Sequence, residues 1–199
     1  QHDFVKRTGE ACAKYDIPFL FELLVHPVGT DAAQTSEYTE MAPKHSDHVL
    51  ASVEAFAGAD YGVDVFKLES PVPAKGIAGG DTAVQTLFDE MGKRAGRPWV
   101  MLSAGAGKPD FKTVLDYAYA AGASGYLAGR AIWLDAFNAY PDWDVMQAGL
   151  TRDSVPYMAE LNALTDAQAT PWHRHACYGG DGLAFIDPTA GFRHGYGDI

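Results

Sequence analysis

The sequence is short of cysteine, of basic charge and of unbroken apolar runs, and each shortage closes off a class of protein. Only Cys12 and Cys177 are present. They form neither the paired spacing of a zinc knuckle nor a disulfide framework, so a reduced, cytoplasmic setting is expected. Lys and Arg number 15 against 26 Asp and Glu, a formal net charge of −11. Such a field repels polyanions and argues against nucleic acid or anionic membrane as partners, although a small anion can still bind where local donors outweigh it. The longest apolar stretch, residues 17–25, is broken by Glu22 and falls far short of the roughly 20 residues that span a bilayer. The chain opens at Gln1 with no initiator Met and no signal-peptide pattern, so further upstream sequence is expected.

What is present is the composition of a packed protein. With 47% hydrophobic, 12% aromatic and 21% charged residues, the chain has enough apolar surface to build a core, which argues against disorder. Its 199 residues suffice for one domain but fall below the about 250 usual for a complete (β/α)8 barrel.

Four short apolar segments, residues 19–25, 64–69, 99–103 and 125–128, read as buried parallel strands, each followed by Gly, Pro or polar residues. Helical patterns separate them. Residues 3–15 form a candidate helix with Phe4, Val5, Ala11, Cys12 and Tyr15 as its inner face. Pro43 precedes a second helix in which Val49, Val53 and Phe56 recur at helical spacing. Asp81 is the expected N-cap of a third, carrying Val84, Leu87, Phe88 and Met91 and ended by Gly96. Pro109 suits the first turn of a fourth, whose stripe is Phe111, Val114, Leu115 and Ala118 and whose end is Gly122. Two more helices are expected, over 131–140 and 154–167, and the Gly- and His-rich stretch from Pro171 reads as an irregular tail. Helix and strand alternating four times imply a parallel sheet, either doubly wound or an arc of a barrel.

Polar residues stand out inside those strands. Alternation along residues 64–69 sets Val65, Lys67 and Glu69 on one face and Phe66 and Leu68 on the other. If the strand is buried on both sides, a lysine points inward. An ammonium is seldom buried unless paired or deprotonated, and a deprotonated lysine is a nucleophile for carbonyls. Spacing alone fits equally well a lysine that only pairs with Glu69 or Glu22. Glu22 is itself a carboxylate in an apolar strand, sharing a face with Leu20 and Leu24; shielding there suits it to proton transfer, or to an ion pair with a nearby Lys or Arg. Ser103, Ala104, Gly105, Ala106 and Gly107 end the third strand with two glycines that let backbone N–H groups approach a ligand. Gly129 and Arg130 end the fourth strand just before a helix, where N–H groups and a guanidinium can hold a phosphate. His173, His175 and Cys177 lie close together, but no acidic ligand accompanies them; no metal is expected, and the tail is read as packing at a subunit contact.

These residues carry a resemblance. The stretch YGVDVFKLESPVP at 61–73 resembles the Schiff-base strand of class I tagatose-1,6-bisphosphate aldolases of the DeoC/LacD type, and related sulfofructose-phosphate aldolases carry a similar segment. FELL at 21–24, WVMLSAG at 99–105, AGASGYLAGRAIW at 121–133 and ATPW at 169–172 follow in family order. The resemblance implies an α/β fold, the (β/α)8 barrel, with residues 1–170 as its last four β/α units and 171–199 as a C-terminal tail. It implies that Lys67 forms an imine with a ketose bisphosphate, that Glu22 shuttles protons, and that Ser103, Gly105, Gly129 and Arg130 hold a substrate phosphate. Tagatose 1,6-bisphosphate would yield dihydroxyacetone phosphate and glyceraldehyde 3-phosphate. No metal or other cofactor is then expected, because the imine replaces a Lewis acid, and a homo-oligomer is implied. Ser70 departs from the family, where an apolar residue stands, and the tail from His173 is longer. Two other readings stay open: a sulfofructose-phosphate aldolase with the same lysine chemistry, and a non-catalytic sugar-phosphate-binding protein on this fold. The presence of both Lys67 and Glu22 argues against the second.

Overall fold

The computed structural model describes residues 1–25 and 46–183. The helix start expected at Pro43 and the tail beyond residue 183 lie outside them. Helix α1, His2–Lys14, leads to strand β1, Leu20–Glu22. Then follow α2, Ser46–Phe56; β2, Val65–Leu68; α3, Thr82–Ala95; β3, Trp99–Leu102; α4, Lys108–Ala120; and β4, Gly125–Leu127. Helices α5, Arg130–Phe137, α6, Trp143–Gly149, and α7, Val155–Gln168, complete the described elements, with a π-helical turn at Leu150–Ser154.

Local chemistry explains where the helices start and stop. The Asp81 carboxylate accepts the N–H groups of Ala83 and Val84, filling two of the donors a helix start leaves open, and Gly96 at φ 58° ends α3 in the left-handed conformation. Lys93 and Arg94 occupy its last turn, where the helix dipole favours cations. In α4 a proline stands in the first turn, and Phe111, Val114, Leu115 and Ala118 are all almost fully buried.

The four strands are parallel and lie in the order β1-β2-β3-β4. Register pairs Glu22 with Lys67, Lys67 with Val100, and Leu102 with Leu127. Phe66, Leu68, Trp99 and Met101 are 0–1% exposed and share one core with Val49 and Val53 of α2, Phe88 and Met91 of α3, and Phe111 and Leu115 of α4. Each crossover helix therefore covers the same side of the sheet. Strands in strict sequence order with their helices on one side form the arc of a (β/α)8 barrel, since a doubly wound sheet reverses its strand order and carries helices on both faces. The chain supplies four β/α units of that architecture.

Two expectations need correction. The strands are not buried on both sides: among the described residues Leu20, Glu22 and Leu127, on the face opposite the helices, are exposed and Lys67 is half-buried. That face is the one an arc turns inward, and it carries apolar side chains because a closed barrel fills its interior with them. The inner face expected for α1 is also mostly wrong. Of its five residues only Val5 is buried, and Phe4 is 67% exposed. The helix instead meets the short turn at Ala59–Tyr61 through Gly9, where an added Cβ would stand 2.0 Å from the Tyr61 carbonyl oxygen. Gly9→Ala gains up to about 1 kcal/mol of helix propensity. Because the obstacle is backbone, overpacking should prevail, with a net loss of about 1–3 kcal/mol in chemical denaturation.

After β4 the sequence pattern is less faithful. The expected helix 131–140 stops at Phe137, and α6 with its π-helical turn was not foreseen. In the tail, short 3-10 turns at Trp172–Arg174 and Ala176–Tyr178 replace the fully irregular stretch expected. The tail is tied back by the Thr170 N–H to the Ala123 carbonyl at 3.0 Å.

Candidate active site

All six residues singled out in the sequence converge at the C-terminal ends of the strands. Glu22, Lys67, Ser103, Gly105, Gly129 and Arg130 line one cavity of about 340 Å³, together with Leu24, Leu102, Ala104, Leu127 and Trp133. Binding sites of parallel α/β sheets form at this end, because the loops there vary without disturbing the core.

Register explains the first contact. Glu22 and Lys67 are neighbours across β1 and β2, on the face opposite the helices, and Lys67 Nζ donates to Glu22 Oε2 at 2.9 Å. The lysine side chain is 22% exposed and that of the glutamate 41%. Glu22 was expected to be shielded; it is open instead, because its strand ends the described sheet and the facing side is uncovered among the described residues. Glu69, the other partner considered for Lys67, is almost fully buried and accepts the N–H of Val25, tying the ends of β1 and β2 together. Ser70 is buried at little cost because its Oγ donates to the Val72 carbonyl at 2.6 Å.

The loop after β3 is a tight turn. The Ala106 N–H donates to the Ser103 carbonyl at 2.8 Å, and both central residues have positive φ, 48° for Ala104 and 78° for Gly105, the pattern of a type I′ turn. Glycine adopts this freely, whereas alanine pays for it, and such strain tends to persist where a site depends on it. The turn lies against the next loop: a Cβ on Gly105 would stand 3.8 Å from Arg130 Cζ. Gly105→Ala therefore meets no clash, and its expected cost is the left-handed backbone alone, about 1–2 kcal/mol in a denaturant titration. Gly105→Asn should lose less, since Asn tolerates that region better.

Gly129 is the N-cap of α5, and its carbonyl accepts the N–H groups of Ile132 and Trp133. The earlier N–H groups of a helix have no acceptor within it, and with the guanidinium of Arg130 they form a group of donors suited to an anion. One end of the cavity thus offers amine and carboxylate, and the other offers donors. The sequence reading missed Trp133, Leu24, Leu102 and Leu127 as lining residues; the face they share with Lys67 or Arg130 was the signal that could have found them.

Fold and cavity together define an arc of a (β/α)8 barrel with a cavity at the strand C-termini. The chain belongs to the DeoC/LacD aldolase family, whose model, described as DeoC/LacD family aldolase, matches residues 1–135. It is similar to the tagatose 1,6-diphosphate aldolase of Listeria monocytogenes serotype 4a (strain HCC23), 31% identical over 184 residues that cover 86% of this chain and 54% of that protein. It is also similar to tagatose 1,6-diphosphate aldolase 1 of Streptococcus mutans serotype c, 30% identical over 85% of this chain and 55% of that protein. The chain spans about half the length of these relatives, 54% and 55%.

Proposed function

We propose that this chain carries the lysine-bearing part of a class I aldolase site that cleaves a ketose bisphosphate, with tagatose 1,6-bisphosphate the leading substrate. The observation that carries the reading is the convergence of Lys67, Glu22 and two glycine-bearing loops on one cavity. The name shared by its relatives supports the substrate. Residues 1–170 would form the catalytic arc and 171–199 a tail.

In this mechanism Lys67 gives up a proton, with Glu22 2.9 Å away as the acceptor. Its nitrogen attacks the C2 carbonyl, and loss of water leaves a protonated imine. A base removes the C4 hydroxyl proton, a role assigned to Glu22 directly or through a relay. The C3–C4 bond then breaks, glyceraldehyde 3-phosphate leaves, and the bonding pair moves into an enamine. Protonation at C3 and hydrolysis of the imine release dihydroxyacetone phosphate and restore the amine. Ser103, Gly105, Gly129 and Arg130 hold a substrate phosphate, so that binding energy from a remote group positions the reacting carbon.

The imine does the work of a Lewis acid in this scheme. Cleavage of tagatose 1,6-bisphosphate by the intact protein, followed through released dihydroxyacetone phosphate, should therefore continue unchanged in excess chelator. Activity that vanishes on chelation and returns with a divalent metal would overturn the reading.

A further inference from the structure

Trp133 is the one aromatic among the described residues that line the cavity, and the imine chemistry gives it no task. It stands four residues after Gly129 on α5, and helical side chains lean towards the N-terminus of their helix. The indole accordingly reaches back over the start of α5: its Nε1 lies 3.2 Å from the point a Cβ on Gly129 would occupy. The same edge of the cavity holds the first-turn N–H groups and Arg130. Among the described residues the indole N–H has no hydrogen-bond acceptor. Among the described residues the ring touches Phe137, with centroids 4.9 Å apart, and remains 36% exposed where it lines the cavity.

We propose that the Trp133 indole N–H is a direct ligand of the substrate phosphate, and that the ring edge fixes how closely the phosphate approaches α5. The proposal deepens the aldolase reading and rests on it. A neutral donor on a rigid ring adds a charge-assisted hydrogen bond to the phosphate without adding a further cation to the Lys67 and Arg130 already in the cavity. It also explains the glycine at 129, because any Cβ there would press on Nε1.

The test compares the intact protein with its Trp133→Phe variant, which keeps a ring against Phe137 and loses the donor. Borohydride capture at Lys67 is titrated with dihydroxyacetone phosphate and, separately, with uncharged dihydroxyacetone. The half-saturating concentration of the phosphate ester should rise about tenfold to a hundredfold in the variant, as expected for a hydrogen bond to a charged group. That of the uncharged ketone should stay where it was. An equal rise for both, or none for either, overturns the proposal and leaves Trp133 a packing residue. If neither ligand is captured at Lys67 in the unsubstituted protein, the lysine mechanism fails on its own. Calorimetric titration with dihydroxyacetone phosphate then decides the Trp133 contact: weaker binding by the variant upholds it, and equal binding removes it.

Discussion

Lys67→Met is expected to lower aldol cleavage by at least about 10⁴-fold, the scale on which losing a covalent nucleophile acts. Methionine keeps an unbranched chain of similar length, so the half-buried stem on β2 is retained and only the amine is lost. Stability should change little. The Lys67–Glu22 pair is partly exposed, and ion pairs in contact with water contribute about 0–1 kcal/mol. The partner left behind, 41% exposed, stays hydrated and pays no burial cost. Steady-state kinetics and thermal unfolding on the same preparation separate two accounts. A chemical role predicts activity lost with the fold intact. A lysine that serves only as a strut predicts that any lost activity follows lost stability.

Glu22→Gln ranks second, with an expected fall in kcat of about 10²–10⁴, the range for removing a positioned acid–base group. The amide preserves shape and a hydrogen-bond partner for the Lys67 ammonium while removing the proton acceptor 2.9 Å from it. KM should move much less than kcat, since nothing at the Gly105–Arg130 end of the cavity is altered. The register of β1 on β2 makes this variant informative, because Glu22 faces Lys67 by strand pairing and not through a flexible loop. A kcat within a factor of about two of the unsubstituted protein would remove Glu22 from the proton path, as such an effect is far below any acid–base contribution.

The fold was legible where the chemistry is local. Asp81 and Gly96 bracket α3 because a carboxylate cap and a left-handed glycine act on the adjacent backbone alone. The four strands were readable from apolar runs. What sequence could not reveal is that one sheet face is uncovered among the described residues, because Leu20, Val65, Val100 and Leu127 on that face are as apolar as the residues beneath the helices. The same ambiguity made Glu22 look shielded. Helix α1 misled because, beside Val5, its close approach to Tyr61 is made by Gly9, a residue with no side chain to register in a hydrophobic pattern. Residues 143–154 bury only Met146, Gly149 and Ser154, too sparse a stripe to announce α6 and the π-helical turn. The candidate site was legible in its polar members, which stand out inside apolar strands. Its apolar lining and Trp133 stood out less, because only the face they share with Lys67 or Arg130, and not their residue type, separates them from core.

The central claim is that Lys67 becomes covalently attached to substrate. The direct measurement is borohydride reduction of the intact protein in the presence of dihydroxyacetone phosphate, with the modified peptide identified by mass spectrometry. A reduced adduct on the peptide containing Lys67, absent when borohydride is omitted, is the predicted result. Folded protein in which Lys67 remains unmodified, or in which another lysine carries the adduct, would contradict it.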